Sequence, residues 1–227
     1  MELRDALRST GSVRQFTAQP VDDALIHDIL DDARFAPSGG NRQSWRVVVV
    51  KDPVVRHAVG AAYLDAWHDY VGHVLAGVVP FSPLASPEER RGALAQRAAA
   101  EAASRPDGFA ETLGDVPAML VVSADLGSLA ATDRDLERYA LVGGASIYPF
   151  VWSILLAAHE RGLGGVMTTV ATRNEARLRE ILNLPAHHAL AAVVALGYPV
   201  TRHTRLHRHT VEEFTTVDTF ASEVFRP

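Results

Sequence analysis

Apolar residues recur at helical spacing from the first turn of the chain, where Leu3, Ala6 and Leu7 share a face and Gly11 stands where helices commonly stop. A short first helix ending near Thr10 is predicted. A second stripe runs through Leu25, Ile26, Ile29, Leu30 and Ala33; Asp22 or Asp23 can cap it, and Pro37 forbids its continuation. That helix delivers the chain into a polar loop, residues 37–44. At Trp45 the pattern changes to a β-branched apolar run through Val50, and residues 116–124 repeat it, as suits two central strands buried on both faces. Between them, residues 61–78 and 88–104 are helical in pattern and joined by a turn-rich stretch at 80–87, which reads as an insertion or lid.

Residues 139–158 carry no charge and are long enough to span a bilayer, but Gly143, Gly144, Ser146, Pro149 and Ser153 better suit a buried helix at a core or subunit interface. Gly162-Leu163-Gly164-Gly165 then follows a helix, not a strand, so it does not make a dinucleotide-binding fingerprint. Thr172 and Glu175 have capping-box spacing ahead of Ala176, Leu178, Ile181 and Leu182, with Pro185 closing that helix. A short apolar run at 189–196, bounded by His187-His188 and Gly197, predicts a further strand. After Pro199 a basic, histidine-rich tail ends in an amphipathic arm at 211–225. The order lacks the regular alternation of a doubly wound fold, and one domain over residues 1–227 is expected.

Composition narrows the chemistry. With 48% hydrophobic and 22% charged residues in 227, a sizeable core is affordable, and a net charge of −5 argues against a nucleic-acid partner. The absence of cysteine excludes disulfides, thiolate nucleophiles and cysteine-ligated metal centres, so redox chemistry would need a bound cofactor. The first residues lack the basic-then-apolar layout of a secretory signal, and a cytoplasmic enzyme without a membrane partner is the expectation.

Candidate chemistry concentrates on either side of the second helix. Ser12-Val13-Arg14-Gln15-Phe16 precedes it, and Pro37-Ser38-Gly39-Gly40-Asn41-Arg42-Gln43-Ser44-Trp45 follows it. A site for FMN needs positive charge and hydroxyls for the phosphate, amide donors for the ring carbonyls and a flat apolar wall. Ser12, Arg14, Asn41 and Gln43 carry such groups, and glycines let the loop approach a ligand closely. The same residue types also make ordinary caps and turns.

The combination Ser12-Val13-Arg14-x-Phe16, Pro20-Val21, Ala33-Arg34-x-Ala36-Pro37-Ser38 and Asn41-x-Gln43-x-Trp45 resembles the N-terminal signature of the FMN-dependent nitroreductase family. Arg161-Gly162-Leu163-Gly164, Leu196-Gly197-Tyr198-Pro199 and the basic C-terminal run extend the resemblance over most of the chain, residues 61–115 excepted. It implies an α+β fold: a central, mostly antiparallel sheet surrounded by helices, with the C-terminal arm, from about residue 200, exchanged in a homodimer. It also implies that Ser12, Arg205 and Arg208 bind the FMN phosphate, that Val13 belongs to the cofactor-binding segment, and that Arg14 lies near the pyrimidine side of the ring. With Gln43 a further cofactor-binding residue, Pro37, Ser38, Gly39 and Asn41 would line the ring and ribityl chain. Backbone groups at Met167, Thr168 and Thr169 would face its reactive nitrogen, and a long helix over 133–161 would form the dimer interface. Two departures stand out: Thr10 replaces a common arginine, and Ser44 replaces a common proline.

Tyr63, Trp67 and Tyr70 fall at near-helical spacing, as core packing or as an aromatic wall for a planar substrate. Asp22, Asp23, Asp28, Asp31 and Asp32 read as a solvated acidic face. His187, His188, His203, His207 and His209 invite a metal reading, but with no carboxylate cluster evident the histidines read as part of a solvated basic tail, and no metal is expected. The expected activity is ping-pong reduction of a planar nitroaromatic or quinone with NADH or NADPH as co-substrate. Two alternatives stay open: a flavin-dependent oxidase of a specialised metabolite, and a non-catalytic flavin-binding module.

Overall fold

The computed structural model describes residues 1–202 and 205–227, which leaves the histidine at position 203 outside the described residues. The apolar runs form strands β1 (Trp45–Val50), β2 (Ala118–Asp125), β3 (Gly164–Thr168) and β4 (His188–Gly197). They pair antiparallel in one four-stranded sheet ordered β1-β2-β4-β3. Strand β2 is buried along almost its whole length, as its unbroken apolar run predicts. The first apolar run departs from expectation: β1 is an edge strand, with Arg46 exposed and Val47, Val48 and Val49 only half-buried. A β-branched run reports strand propensity, not position in the sheet.

Strand β3 was not foreseen, because paired glycines weaken a strand signal. Close approach explains them. A Cβ added at Gly164 would lie 2.7 Å from Val13 Cγ2, and one at Gly165 would lie 2.5 Å from Leu196 Cδ2.

Helices cover both faces. On one face, α2 (Asp23–Ala33) and α6 (Tyr148–Glu160) bury Ile29, Phe150, Val151 and Ile154 against Leu120, Val194 and Leu196, with α1 (Leu3–Ser9) against α6. On the other, α3 (Pro53–Leu75) and α7 (Glu175–Leu182) bury Val59, Tyr63 and Leu178 against Met119, Val121 and Val193. α3 begins earlier than its apolar pattern indicates, because Asp52 accepts hydrogen bonds from Val54 N and Val55 N and Pro53 pre-sets the first turn. The helical stretch expected at 88–104 is two helices, α4 (Pro87–Ala95) and α5 (Arg97–Ala102). Both contact α3.

Two further expectations are corrected. Thr172 does not cap α7: its hydroxyl donates to Thr169 O within a 3-10 turn, Val170–Asn174, while Glu175 pairs with Arg179 and accepts from Leu190 N. The helix expected over 133–161 is confined to α6, since the buried Asp133 carboxylate accepts from Leu141 N and Val142 N and pairs with Arg138, fixing an irregular loop ahead of it. Among the described residues no helix is long and apolar enough to cross a membrane. The arm at 211–225 has little regular helix or strand. It is a 3-10 turn, Val211–Glu213, followed by a bridge between Thr216 and Val224, and Phe214, Phe220 and Phe225 are exposed.

Candidate functional site

The outer edge of β3 carries the first half of the site. Ser12 bridges Gly165 in parallel, Val13 N donates to Gly165 O at 2.9 Å, and Phe16 bridges Pro199. Val13 is buried while Ser12 and Arg14 point outward, as extended backbone requires. Because the Gly165 carbonyl faces away from β4, alternation turns the N–H and C=O of Met167 the same way. Among the described residues Met167 makes no backbone hydrogen bond outside the sheet. Thr168 is buried and Thr169 exposed just beyond.

Arg14 stands between two cavities. One, of about 240 Å³, is lined by Ser12, Val13, Arg14, Gln15 and Thr201. The other, of about 410 Å³, lies between Arg14 and Trp67. Among the described residues the Arg14 guanidinium has neither an ion pair nor a hydrogen bond, so its donors are available to an anion. Arg205 and Arg208 are exposed on the tail. Thr10, which stands where the family often has arginine, is buried with its hydroxyl donated to Ala6 O at 2.7 Å, and cannot substitute for one.

The three aromatic residues differ in burial. Tyr63 is 2% exposed and belongs to the core, whereas Trp67 and Tyr70 are half-buried. The three form a ladder, with centroids 6.1 Å apart for Tyr63 and Trp67 and 4.7 Å for Trp67 and Tyr70. Thr168 Oγ1 lies 3.4 Å from Tyr63 Oη, joining the ladder to the end of β3. Burial raises the Tyr63 phenol above its usual range, so it stays protonated at neutral pH. Tyr70 opens instead on a third cavity, of about 690 Å³, lined also by Phe81, Tyr139, Thr169 and Arg173.

The second half of the site is elsewhere. Ser38, Gly39, Asn41 and Gln43 form a tight loop in which Gly40, Asn41 and Gln43 have positive φ and Gln43 N donates to Ser38 Oγ. It is tied to Ser146, whose Oγ accepts from Gly39 N at 3.0 Å, and Trp45 stacks on Phe150 with ring centroids 4.6 Å apart. Pro37, Gly39, Asn41 and Gln43 are exposed. Trp45 lies in the row of Ala124 at one edge of the sheet, and Gly165 in the row of Ala118 at the other. Three strand spacings and six residues of rise put the two corners on the order of 25 Å apart. The loops that flank one helix in sequence therefore do not meet within one chain.

Residues 7–198 match the nitroreductase family. The chain belongs to that family. A Thermus thermophilus NADH dehydrogenase is 31% identical over 93% of this chain and 94% of its own. A nitrobenzene nitroreductase of Ectopseudomonas oleovorans is 28% identical over 93% and 95%. A chain from Desulfovibrio desulfuricans solved in complex with FMN has a TM-score of 0.66 at 20% identity, covering 97% of this chain and 98% of that one. The nitroreductase-like fold expected from the sequence is thus the fold found.

Two features of the site and its surroundings escaped sequence reasoning. The open edge at Met167 depends on β3, which paired glycines concealed. The carboxylate missing from the histidine pattern is Asp125, distant in sequence from His187 and His188 but beside them in space. His207 and His209 are exposed, and His209 Nδ1 lies 3.3 Å from Glu213 Oε1.

Proposed function

We propose that the protein is an FMN-dependent oxidoreductase that uses NADH or NADPH to reduce a planar acceptor of the nitroaromatic or quinone class, acting as a homodimer in the cytoplasm. The observation that carries the reading is the donor set at the edge of β3: the Arg14 guanidinium, unpaired among the described residues, and the Ser12 hydroxyl line a cavity there, and the Met167 backbone N–H faces outward along the same edge. This set fits a phosphorylated, planar, anion-stabilised cofactor, since a phosphate takes hydroxyl and guanidinium donors and a reduced ring takes a nearby positive charge. Ser12, Arg205 and Arg208 hold the phosphate and Arg14 the pyrimidine side, while buried Val13 anchors the segment on β3. Bound FMN supplies two-electron redox chemistry between nicotinamide and acceptor. The protein orients the partners, and Trp67 and Tyr70 offer a stacking surface on the α3 side. Residues 61–115 act as the substrate-side lid of the single domain.

The separation of the two half-sites supports the dimer. A two-fold axis presents the same patches of both copies to each other, so Ser38, Gly39, Asn41 and Gln43 of a second copy complete the site begun by Ser12 and Arg14. Exposed Phe214, Phe220 and Phe225 give the C-terminal arm an apolar surface to place on that copy.

Visible absorption of the FMN-loaded protein, recorded anaerobically before and after NADH or NADPH, tests the reading. Bleaching on addition and recovery on addition of a nitroaromatic or quinone are expected. Flavin bands that persist with both nicotinamides would overturn the reductase reading in favour of an oxidase or a binding module. A protein that takes up no FMN would remove the cofactor altogether.

A further inference from the structure

A second cluster of chemistry-bearing side chains lies at the far end of the sheet from the β3 edge. We propose that Asp125, His187 and His188 form a binding site for a borderline divalent cation of the zinc or nickel class. One ligand atom from each of the three lies within 4.8 Å of the others. Two imidazoles and a carboxylate are the nitrogen and oxygen donors that such cations take, with further positions left to water.

Local structure builds this cluster. The register of β2 against β4 shifts between Val122 and Ser123, so that Val122 faces Ala192 while Ser123 faces Leu190 and Ala191 is the extra residue. A bulge re-aims every side chain beyond it. Without it Asp125 would face Ala189. With it Asp125 is the direct cross-strand partner of His188, on the same face of the sheet, and Ser123 is the diagonal neighbour.

The surrounding hydrogen bonds orient the ligands. Ser123 Oγ lies 3.0 Å from His188 Nδ1 in a buried setting, which fixes the ring and leaves Nε2 as its coordinating atom. Asp125 Oδ1 accepts from Gly127 N and Oδ2 from Ser128 Oγ, both at 2.9 Å, so the carboxylate is held in place with lone pairs remaining on each oxygen. The His187 ring centroid is 4.8 Å from that of His188, and its side chain is exposed, giving a route in from solvent.

Position suggests the consequence. Asp125 N donates to Ser44 O at 2.7 Å, so a cation here would pin the end of the loop that carries Ser38, Gly39, Asn41 and Gln43. Arg46, the β1 partner of Ser123, adds an opposing positive charge that weakens cation binding.

The test is isothermal titration of the untagged, chelator-treated protein with zinc chloride, together with thermal unfolding. One zinc per chain and an upward shift of a few degrees at about hundred-fold excess over Kd are expected. His187→Gln, at an exposed position, weakens binding about ten-fold or more while leaving the zinc-free melting temperature unchanged. Ser123→Ala weakens it less, Arg46→Gln tightens it, and the double variant His207→Gln, His209→Gln has no effect. Zinc uptake that survives His187→Gln, uptake lost in the His207, His209 double variant, or no saturable uptake below about 1 mM would each overturn the site.

Discussion

The two polar segments that flank α2 in sequence meet opposite fates in the fold. Ser12-Val13-Arg14 is an extended strand pinned to β3 by one backbone hydrogen bond and a buried valine. Residues 38–43 form a turn anchored to Ser146 and, through Trp45, to Phe150 of α6. α2 carries the chain from one corner of the sheet to the opposite one. Two loops adjacent to one helix are joined at opposite ends of a rigid rod, so nearness in sequence is here a reason for separation in space.

Complementation puts the greatest strain on that comparison. Arg14→Ala and Asn41→Ala should each reduce FMN retention strongly as pure homodimers. After the two are mixed, unfolded and refolded together, roughly a quarter of the flavin sites should return, because random reassortment places both lesions in one site of each heterodimer and none in the other. No recovery would mean that each site is built within one chain.

Stability probes then separate the corners. Trp45→Ala removes a buried ring stacked on Phe150 and should cost about 3–5 kcal/mol in denaturant unfolding. Gly164→Ala forces a Cβ within 2.7 Å of Val13 Cγ2 and should cost about 1–3 kcal/mol. Its FMN dissociation constant should rise by a larger factor than the stability loss alone implies, since the displaced segment carries Ser12 and Arg14. Equal effects of both variants on flavin binding per unit of stability would blur the distinction. Smallest is Ser44→Ala, expected to stabilise by up to about 1 kcal/mol, because the Ser44 hydroxyl is buried without a hydrogen-bond partner among the described residues. A lower melting temperature in that variant would show that the hydroxyl is satisfied in solution.

Periodicity read the helices and strands with strong apolar stripes: α1, α2, β1, β2 and β4 all stand where their patterns put them. It did less well wherever a tertiary contact set the outcome. Glu175 had the right spacing for a cap but is drawn away by Arg179 and Leu190 N. The resemblance implies a helix from residue 133, yet one buried carboxylate, Asp133, gathers the Leu141 and Val142 amides into a loop. The paired glycines of β3 carry no strand signal, because their role is to let Val13 and Leu196 approach. The candidate site was legible as two motifs. Its division between opposite corners was not, and the assignment of individual residues to phosphate or ring follows from resemblance, not from spacing.

The sequence by itself determined the family, the helical and extended segments with clear periods, and the need for a bound cofactor in a chain without cysteine. These are matters of local residue type, and local residue type is what a linear pattern records. Tertiary structure alone decided which strand is at the edge, where the Met167 backbone lies open, and how far apart the two half-sites stand. It also brought Asp125 opposite His188. Each of these depends on strand order or register, and register is set by packing across the sheet between residues remote in sequence.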